Sequence, residues 1–294
     1  MANPVINLVL LKAYVTDEPS VFDDTAHSVQ HYLKLAGFDT RLSCNMIYPD
    51  ALNIIWGVGA HGAPPLEEIR KVARPEFSII FNMEQISSSS ALVSEEYQQL
   101  ISEYRVLDYS QHNVAALLAR FPNMRCQEFP LLPKPLFAGD FAVDWAPAEP
   151  RPDVAFWGVL NDRRKALLHT LQLQGRSVQL VSRNYGKNLS AAIARTRLCL
   201  NVHYYDSAIF ELARCLRPLA MGMPIVSEVS RLPGLVDWRQ SGIVFSEYDD
   251  LAASCGQLLE QPELAAYSVR KTQHFLNNPD WPELTRQTML SMLS

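Results

Sequence analysis

Short apolar runs that recur between helix-period stretches constrain this chain more than any other feature. Val5–Leu11 is one, and Val154–Trp157, Leu198–Val202 and Met223–Ser227 repeat the type. Continuous apolar runs of this length suit strands buried on both faces, as in parallel sheets covered by helices. Between them, Phe22, Ala26, Val29 and Leu33 keep helical spacing over Phe22–Leu35, and Gly37 stands at a C-cap position. Phe38–Leu42, Asn53–Val58, Phe77–Phe81 and Arg105–Ser110 read as further strands, and Tyr97–Ile101 and Gln111–Arg120 as helical. Strand–helix alternation predicts an α/β architecture with parallel sheets and right-handed crossovers.

Six prolines then fall between Pro130 and Pro152. Proline cannot continue a helix and interrupts a sheet ladder. Beyond them the alternation restarts. Helices are expected over Asn161–Gln174, Asn188–Thr196, Ile209–Met221 and Asp249–Leu259, and strands over Ser177–Ser182 and Gly242–Phe245. The chain from Pro262 reads as helical, broken near Asn277–Pro282. The expected organisation is a first domain over 1–135, a proline-rich linker over 136–152, a second domain over 153–275 and a helical segment over 276–294. Two such lobes place parallel sheets across a cleft, and ligands of open α/β sheets bind beyond the carboxyl ends of the strands.

Composition narrows the function classes. With 48% hydrophobic and 19% charged residues, the 294-residue chain is globular, and its net charge of −5 argues against a general nucleic-acid binder. Five scattered cysteines without a CxxC pair exclude a zinc ribbon and fit reduced thiols in a cytoplasmic protein. Val5–Leu11 is too short to span a bilayer and lacks the basic flank of a signal peptide. No integral membrane segment is expected. GxGxxG, the Walker A lysine motif, GxSxG and HExxH are all absent.

The strand ends carry the candidate chemistry. Gly158 follows a strand, and Asn161, Arg163 and Arg164 open the next helix, a combination suited to an anion. Arg183 follows the next strand. His203, Tyr204 and Ser207 follow Leu198–Val202, with Ser207 expected to help cap the helix carrying Glu211 and Arg214 one turn apart. In an otherwise apolar helix at the cleft edge, an ionised Glu211 is explained by a ligand hydroxyl, so Glu211→Ala should impair turnover and spare the fold. In the first half, Glu84, His61 and Asp23 are candidate acid–base residues. Glu84 follows a buried strand, His61 lies between glycines in Gly59-Ala-His-Gly, and Asp23 opens the first helix, where a cap explains it as well.

Phe156-Trp-Gly-x-x-Asn-x-Arg-Arg, Leu198-Cys-Leu-Asn-Val-His, Phe210-Glu-x-x-Arg and Ala220-Met-Gly-Met-Pro-Ile-Val-Ser-Glu together resemble the C-terminal lobe of GT-B glycosyltransferases. The nearest branches are group 1 and spore-maturation-type bacterial enzymes, and Ile79-Ile-Phe-Asn-Met-Glu-Gln resembles a stretch of short bacterial proteins of this kind. The resemblance implies two Rossmann-like domains. It implies a nucleotide-sugar donor, UDP-linked or related, as co-substrate in the C-terminal lobe. The acceptor, a small molecule, glycan or protein, is implied in the N-terminal lobe. Glu211 would contact the donor's sugar or ribose, and Gly158–Arg164 would lie near the diphosphate. The fold class commonly works without a metal, so no cofactor beyond the co-substrate is implied. The paired glutamates of the retaining branch are not intact: Arg217 stands near the second position. The other readings are a non-catalytic nucleotide-sugar-binding protein of the same fold and a nicotinamide enzyme, the latter opposed by the missing GxGxxG.

Overall fold

A computed structural model describes residues 5–12, 20–60, 62–88, 90, 92–135, 151–181, 185–230 and 234–294. The described residues form two compact units. One draws on Met1–Leu132, Leu232–Val236 and Pro279–Ser294, the other on Pro133–Arg231 and Asp237–Asn278. Of the proline-rich stretch, 136–150 lie outside the described residues.

The first unit holds six parallel strands: β1 (Ile6–Leu10), β2 (Thr40–Cys44), β3 (Leu52–Trp56), β4 (Ser78–Asn82), β5 (Arg105–Asp108) and β6 (Cys126–Glu128). They run in the order β2-β1-β3-β4-β5-β6. Every residue of β1, β3 and β4 is buried, including the polar Asn7, Asn53, Ser78 and Asn82 among their apolar side chains. The helices are α1 (Val21–Leu35), α2 (Leu66–Val72), α3 (Glu95–Ser102) and α4 (Gln111–Arg120). Val9, Ile55, Ile80 and Val106 of the sheet pack with Leu100 and Ile101 of α3 and Leu117 of α4. Gly37 follows the C-cap of α1 at φ +87°, a conformation that favours glycine.

The second unit holds five parallel strands: β7 (Val154–Trp157), β8 (Val178–Val181), β9 (Leu198–Asn201), β10 (Ile225–Glu228) and β11 (Val244–Ser246). Their order is β11-β10-β9-β7-β8. Its helices are α5 (Asp162–Leu173), α6 (Gly186–Ala194), α7 (Leu212–Ala220), α8 (Leu251–Glu260) and α9 (Pro262–Leu276). Phe156, Leu200 and Val226 pack with Leu168 of α5 and Cys255 of α8. The final helix, α10 (Trp281–Leu293), returns to the first unit and packs on α1. Gln127 of β6 ties it down, donating through Nε2 to the Thr288 carbonyl (2.6 Å) and accepting at Oε1 from the Ser291 hydroxyl (3.2 Å).

In each sheet the strand order reverses, beside β1 in one and beside β7 in the other. Such reversals are where open α/β sheets bind ligands.

Helix α6 lies two residues before the expected Asn188–Thr196 and α8 starts two residues after Asp249, and the largest departure from the sequence expectation is at the start of α7. Helix α7 begins at Leu212, not Ile209. Ala208 sits at φ +50°, a left-handed conformation that a right-handed helix cannot include. Ser207 lies upstream of that break, so it does not cap α7; Glu211 holds the N-cap position. All five cysteines are unpaired, with Cys199, Cys215 and Cys255 buried. Among the described residues, no helix is long and apolar enough to cross a membrane.

Candidate ligand site at the strand ends of the second unit

β7 and β9 end side by side at the reversal. The chain leaves β7 through Gly158 and enters α5 at Asn161. Asn161 caps that helix, its side chain accepting from the Arg164 N–H at 2.9 Å. Its amide also donates to the Tyr204 carbonyl at 3.0 Å, joining this turn to the loop after β9.

Arg164 is turned inward and only 2% exposed. Its Nε and Nη2 donate to the Val202 carbonyl at 3.0 and 2.5 Å, and its Nη1 donates to the Val159 carbonyl at 2.7 Å. Nη2 also lies 2.8 Å from both carboxylate oxygens of Glu211. Arg214 approaches from α7, donating through Nη1 to Glu211 Oε2 (3.0 Å) and through Nη2 to the Trp157 carbonyl. The Tyr204 N–H donates to Glu211 Oε1 at 2.6 Å. Burial raises the Glu211 pKa, but Arg214 and Arg164 outweigh it and hold the carboxyl below the ordinary glutamate range. Burial, with the Arg214 charge alongside, pulls Arg164 down to about 10.

The two oxygens of Glu211 thus receive four hydrogen bonds from three residues, the usual capacity of a carboxylate. This revises the sequence expectation of a glutamate awaiting a ligand hydroxyl. Glu211 compensates and orients two guanidinium groups, and its loss bears on the fold itself. Gly158 serves the same cluster. A Cβ there would lie 3.3 Å from Arg214 Cζ and 3.5 Å from Arg164 Nη1, on a backbone at φ +111°.

A second ion pair lies beside the first. Glu228, the last residue of β10, accepts from Arg163 Nη1 at 2.7 Å, from Arg163 Nη2, and from the His203 N–H at 3.0 Å. The hydrogen bond to Glu228 raises the Arg163 pKa. Arg163 Cζ lies 3.8 Å over the Tyr248 ring, whose hydroxyl donates to the Arg163 carbonyl at 2.7 Å. The Arg163 side chain remains 35% exposed, the most accessible cation of the cluster. His203 is buried, with Nε2 3.1 Å from the Val229 carbonyl. That oxygen only accepts, so Nε2 carries the proton.

Three guanidiniums, those of Arg163, Arg164 and Arg214, gather at the strand ends beside the N-terminus of α5, with Glu211, Glu228 and, acting on Arg163, Asp206 around them. Such an arrangement suits an anion. Glu228 and Tyr248 were not singled out from the sequence. Glu228 offered the same signal as Glu84, a carboxylate closing an apolar strand; Tyr248 offered none. Arg183 and His61 lie outside the described residues.

In the first unit, Glu84 follows β4 in a polar network. Its carboxylate accepts no hydrogen bond from the described residues, and burial raises its pKa. Its carbonyl accepts from the amides of Asn82 (2.9 Å) and Asn113 (2.8 Å). Asn82 also donates to Asp108 Oδ2 at 2.5 Å and accepts from the Tyr97 hydroxyl at 2.6 Å. Burial pushes Asp108 up to about 7 although three donors favour its charged form. Glu128, opposite Asp108 in register, is pushed to about 7 by burial, while the Leu235 N–H donates to it at 2.9 Å. Asp23 is engaged structurally. It closes the capping box of α1, accepting from the Ser20 N–H and hydroxyl at 2.7 Å each, and pairs with Lys12 at 2.9 Å. Burial raises its pKa, but the Ser20 and Lys12 contacts win and keep it low. Among the described residues no group of three or more His, Cys, Asp or Glu is placed to hold a metal ion.

No protein-family model matches the chain. Two uncharacterised proteins of Acanthamoeba polyphaga mimivirus are 36% identical to it over 102 and 111 residues, 34% and 37% of this chain. Those residues are 14% and 13% of the viral proteins, so the chain matches about one-seventh of their length. Among solved structures, TarM superposes with a TM-score of 0.50 at 12% identity, over 78% of this chain and 57% of TarM. Anabaena HepE, solved with UDP and glucose, superposes with a TM-score of 0.58 at 11% identity, over 99% of both chains. Sucrose-phosphate synthase from Thermosynechococcus elongatus gives 0.55 at 13% identity over 98% of both. At these identities the likeness is one of architecture, and the two parallel sheets give this chain the fold of the GT-B glycosyltransferases.

Proposed function

We propose that this chain transfers a sugar from a nucleoside-diphosphate-sugar donor to an acceptor, with the donor held by the second unit and the acceptor by the first. The observation that carries the reading is the cluster of three arginines at the strand reversal of the second sheet, with Arg163 its most accessible cation. Glycosyl transfer develops negative charge on the departing diphosphate, and preorganised cations stabilise that charge. Arg163, braced by Glu228 and Tyr248, is the exposed anion contact. Arg164 and Arg214, fixed by Glu211 over Gly158, set the positive field beneath it. Asn161 and Tyr204 hold the two loops together, His203 and Ser207 belong to the loop after β9, and Arg183, outside the described residues, is kept as a further candidate contact. HepE was solved with UDP and glucose and also with UDP-glucose. UDP is therefore the first nucleotide to test.

In the first unit Glu84 is the favoured base. Its carboxylate is uncommitted among the described residues, and its raised pKa moves toward the range useful for proton transfer at neutral pH. His61 is the second candidate. Asp23 is the weakest, because Ser20 and Lys12 already occupy both its oxygens. Transfer proceeds without a metal in this reading, so turnover should survive EDTA.

The test is thermal unfolding of the full chain with UDP, GDP, ADP and NADH, followed by UDP release from UDP-sugars with and without candidate acceptors. Stabilisation by one nucleoside diphosphate, with acceptor-stimulated release, supports the proposal. Binding without turnover would make the chain a nucleotide-sugar-binding protein instead. Stabilisation by NADH alone would overturn the reading.

A further inference from the structure

The second unit carries a cavity of about 910 Å³ at the opposite ends of its strands from the arginine cluster. Leu198, which begins β9, and Pro224, which precedes β10, form its floor together with Leu258 of α8. Helix α9 forms the facing wall with Ala265, Ala266 and Val269. Ala265 and Ala266 leave the space beside them open. The volume is in the range of small-molecule sites.

The rim is charged. Arg151, Arg197 and Arg270 line the opening with one acid, Asp153. Asp153 accepts from Arg197 Nη1 at 2.8 Å, and Arg197 Nη2 donates to the Leu259 carbonyl at 2.5 Å. Arg197 is thereby fixed in place. Arg151 and Arg270 have no acidic partner among the described residues. A rim with two uncompensated guanidiniums is unexpected in a chain of net charge −5. Its apolar interior offers little to read a base or a sugar; Ser177 and Gln273 are its uncharged polar side chains.

We propose that this cavity binds a free single-chain anionic amphiphile, with the alkyl chain between α9 and the strand starts and a phosphate or carboxylate head on Arg151 and Arg270. Burial of the alkyl chain supplies affinity, and the guanidiniums select for charge. The proposal is independent of the sugar-transfer reading, because it uses none of the same residues.

Isothermal titration of the full chain with dodecyl phosphate, below its micelle concentration, tests it. The expected result is saturable one-to-one binding. Neutral dodecyl maltoside should bind at least tenfold more weakly, and inorganic phosphate at the same concentration should not register. Arg151→Glu with Arg270→Glu should weaken binding at least tenfold, and Ala266→Trp should block the cavity. Both sets sit at the surface, and far-UV circular dichroism checks that each variant remains folded. Dodecanoate against dodecyl phosphate separates the carboxylate from the phosphate head. Equal binding of the neutral amphiphile, or no effect of either variant set, overturns the proposal. So does binding to phosphatidate vesicles without binding to the monomeric amphiphile. Replacing residues 137–149 with a Gly/Ser stretch should leave the affinity within twofold. A tenfold gain would make that stretch the occupant and overturn the proposal as well.

Discussion

Arg164 Nη2 sits 2.8 Å from both carboxylate oxygens of Glu211, and the two side chains are 3% and 12% exposed. An ion pair so enclosed does not behave like a surface pair. Its net contribution is small when intact, because desolvation offsets attraction, but losing one partner leaves a buried charge uncompensated. Glu211→Ala strands two guanidiniums, those of Arg164 and Arg214. The expected loss of folding stability is about 3–5 kcal/mol, read by denaturant unfolding. Glu211→Gln, which keeps one acceptor oxygen, should lose less. A loss below about 1 kcal/mol for the alanine variant would return the pair to the surface class.

Acid titration should report the two units differently. Glu211 has a folded pKa below its unfolded value, so its contribution is present above the unfolded pKa and is lost as pH falls through the folded one. Glu128 is the reverse case, raised to about 7. Between its unfolded pKa and about 7 the folded state binds more protons, so its contribution falls as pH rises through that window. Glu128→Gln keeps an oxygen for the Leu235 N–H and removes the ionisation. It should gain on the order of 1–3 kcal/mol over wild type at pH 8, with little difference at pH 5. Parallel pH–stability curves for the two proteins would contradict the assignment.

Gly158→Ala separates two costs. The backbone at φ +111° disfavours any side chain, and the added Cβ crowds Arg214 and Arg164. Gly37→Ala is the control, because φ there is +87° with nothing within 4 Å. The control should cost about 1–2 kcal/mol from conformation alone. Gly158→Ala should exceed it and also weaken UDP binding in the proposed site. Equal losses in the two variants, with unchanged nucleotide binding, would mean the arginines simply shift aside.

What the sequence disclosed follows from the range of the interactions involved. Apolar strand runs and helix caps are local, so α4 was located from Gln111 to Arg120 and β1 within a residue at each end. Strand β6 escaped notice because Cys126-Gln-Glu is three residues long with one apolar position, and its place in the sheet depends on pairing with β5. Helix α2 was also missed, although Glu67 and Glu68 in its first turn and Arg70 and Lys71 in its last suit the helix dipole. The candidate residues were chosen by position at strand ends, a criterion that does not disclose their partners. Arg163 and Glu228 are 65 positions apart, and Arg164 and Glu211 are 47 apart. Nothing in one sequence says which acid meets which base. Glu211 therefore read as a ligand contact, and its bonds to Arg164, Arg214 and Tyr204 were not legible.

The proposed base distinguishes itself by rate, with stability as the control. Glu84 has a half-buried carboxylate that the described residues leave unbonded, whereas Asp23 is held by Ser20 and Lys12. If transfer inverts the sugar's configuration, Glu84→Gln should lower turnover at saturating donor by about 10²–10⁴-fold with little change in melting temperature. Asp23→Asn should do the opposite, lowering stability by about 1–2 kcal/mol through the weakened cap and ion pair while sparing turnover. His61→Ala is the third arm, since its glycine-flanked imidazole titrates near neutrality in its unperturbed state. If Glu84→Gln keeps near wild-type turnover and His61→Ala does not, the base is His61. An inverted product with full activity in all three variants would remove the first-unit strand ends from the chemistry.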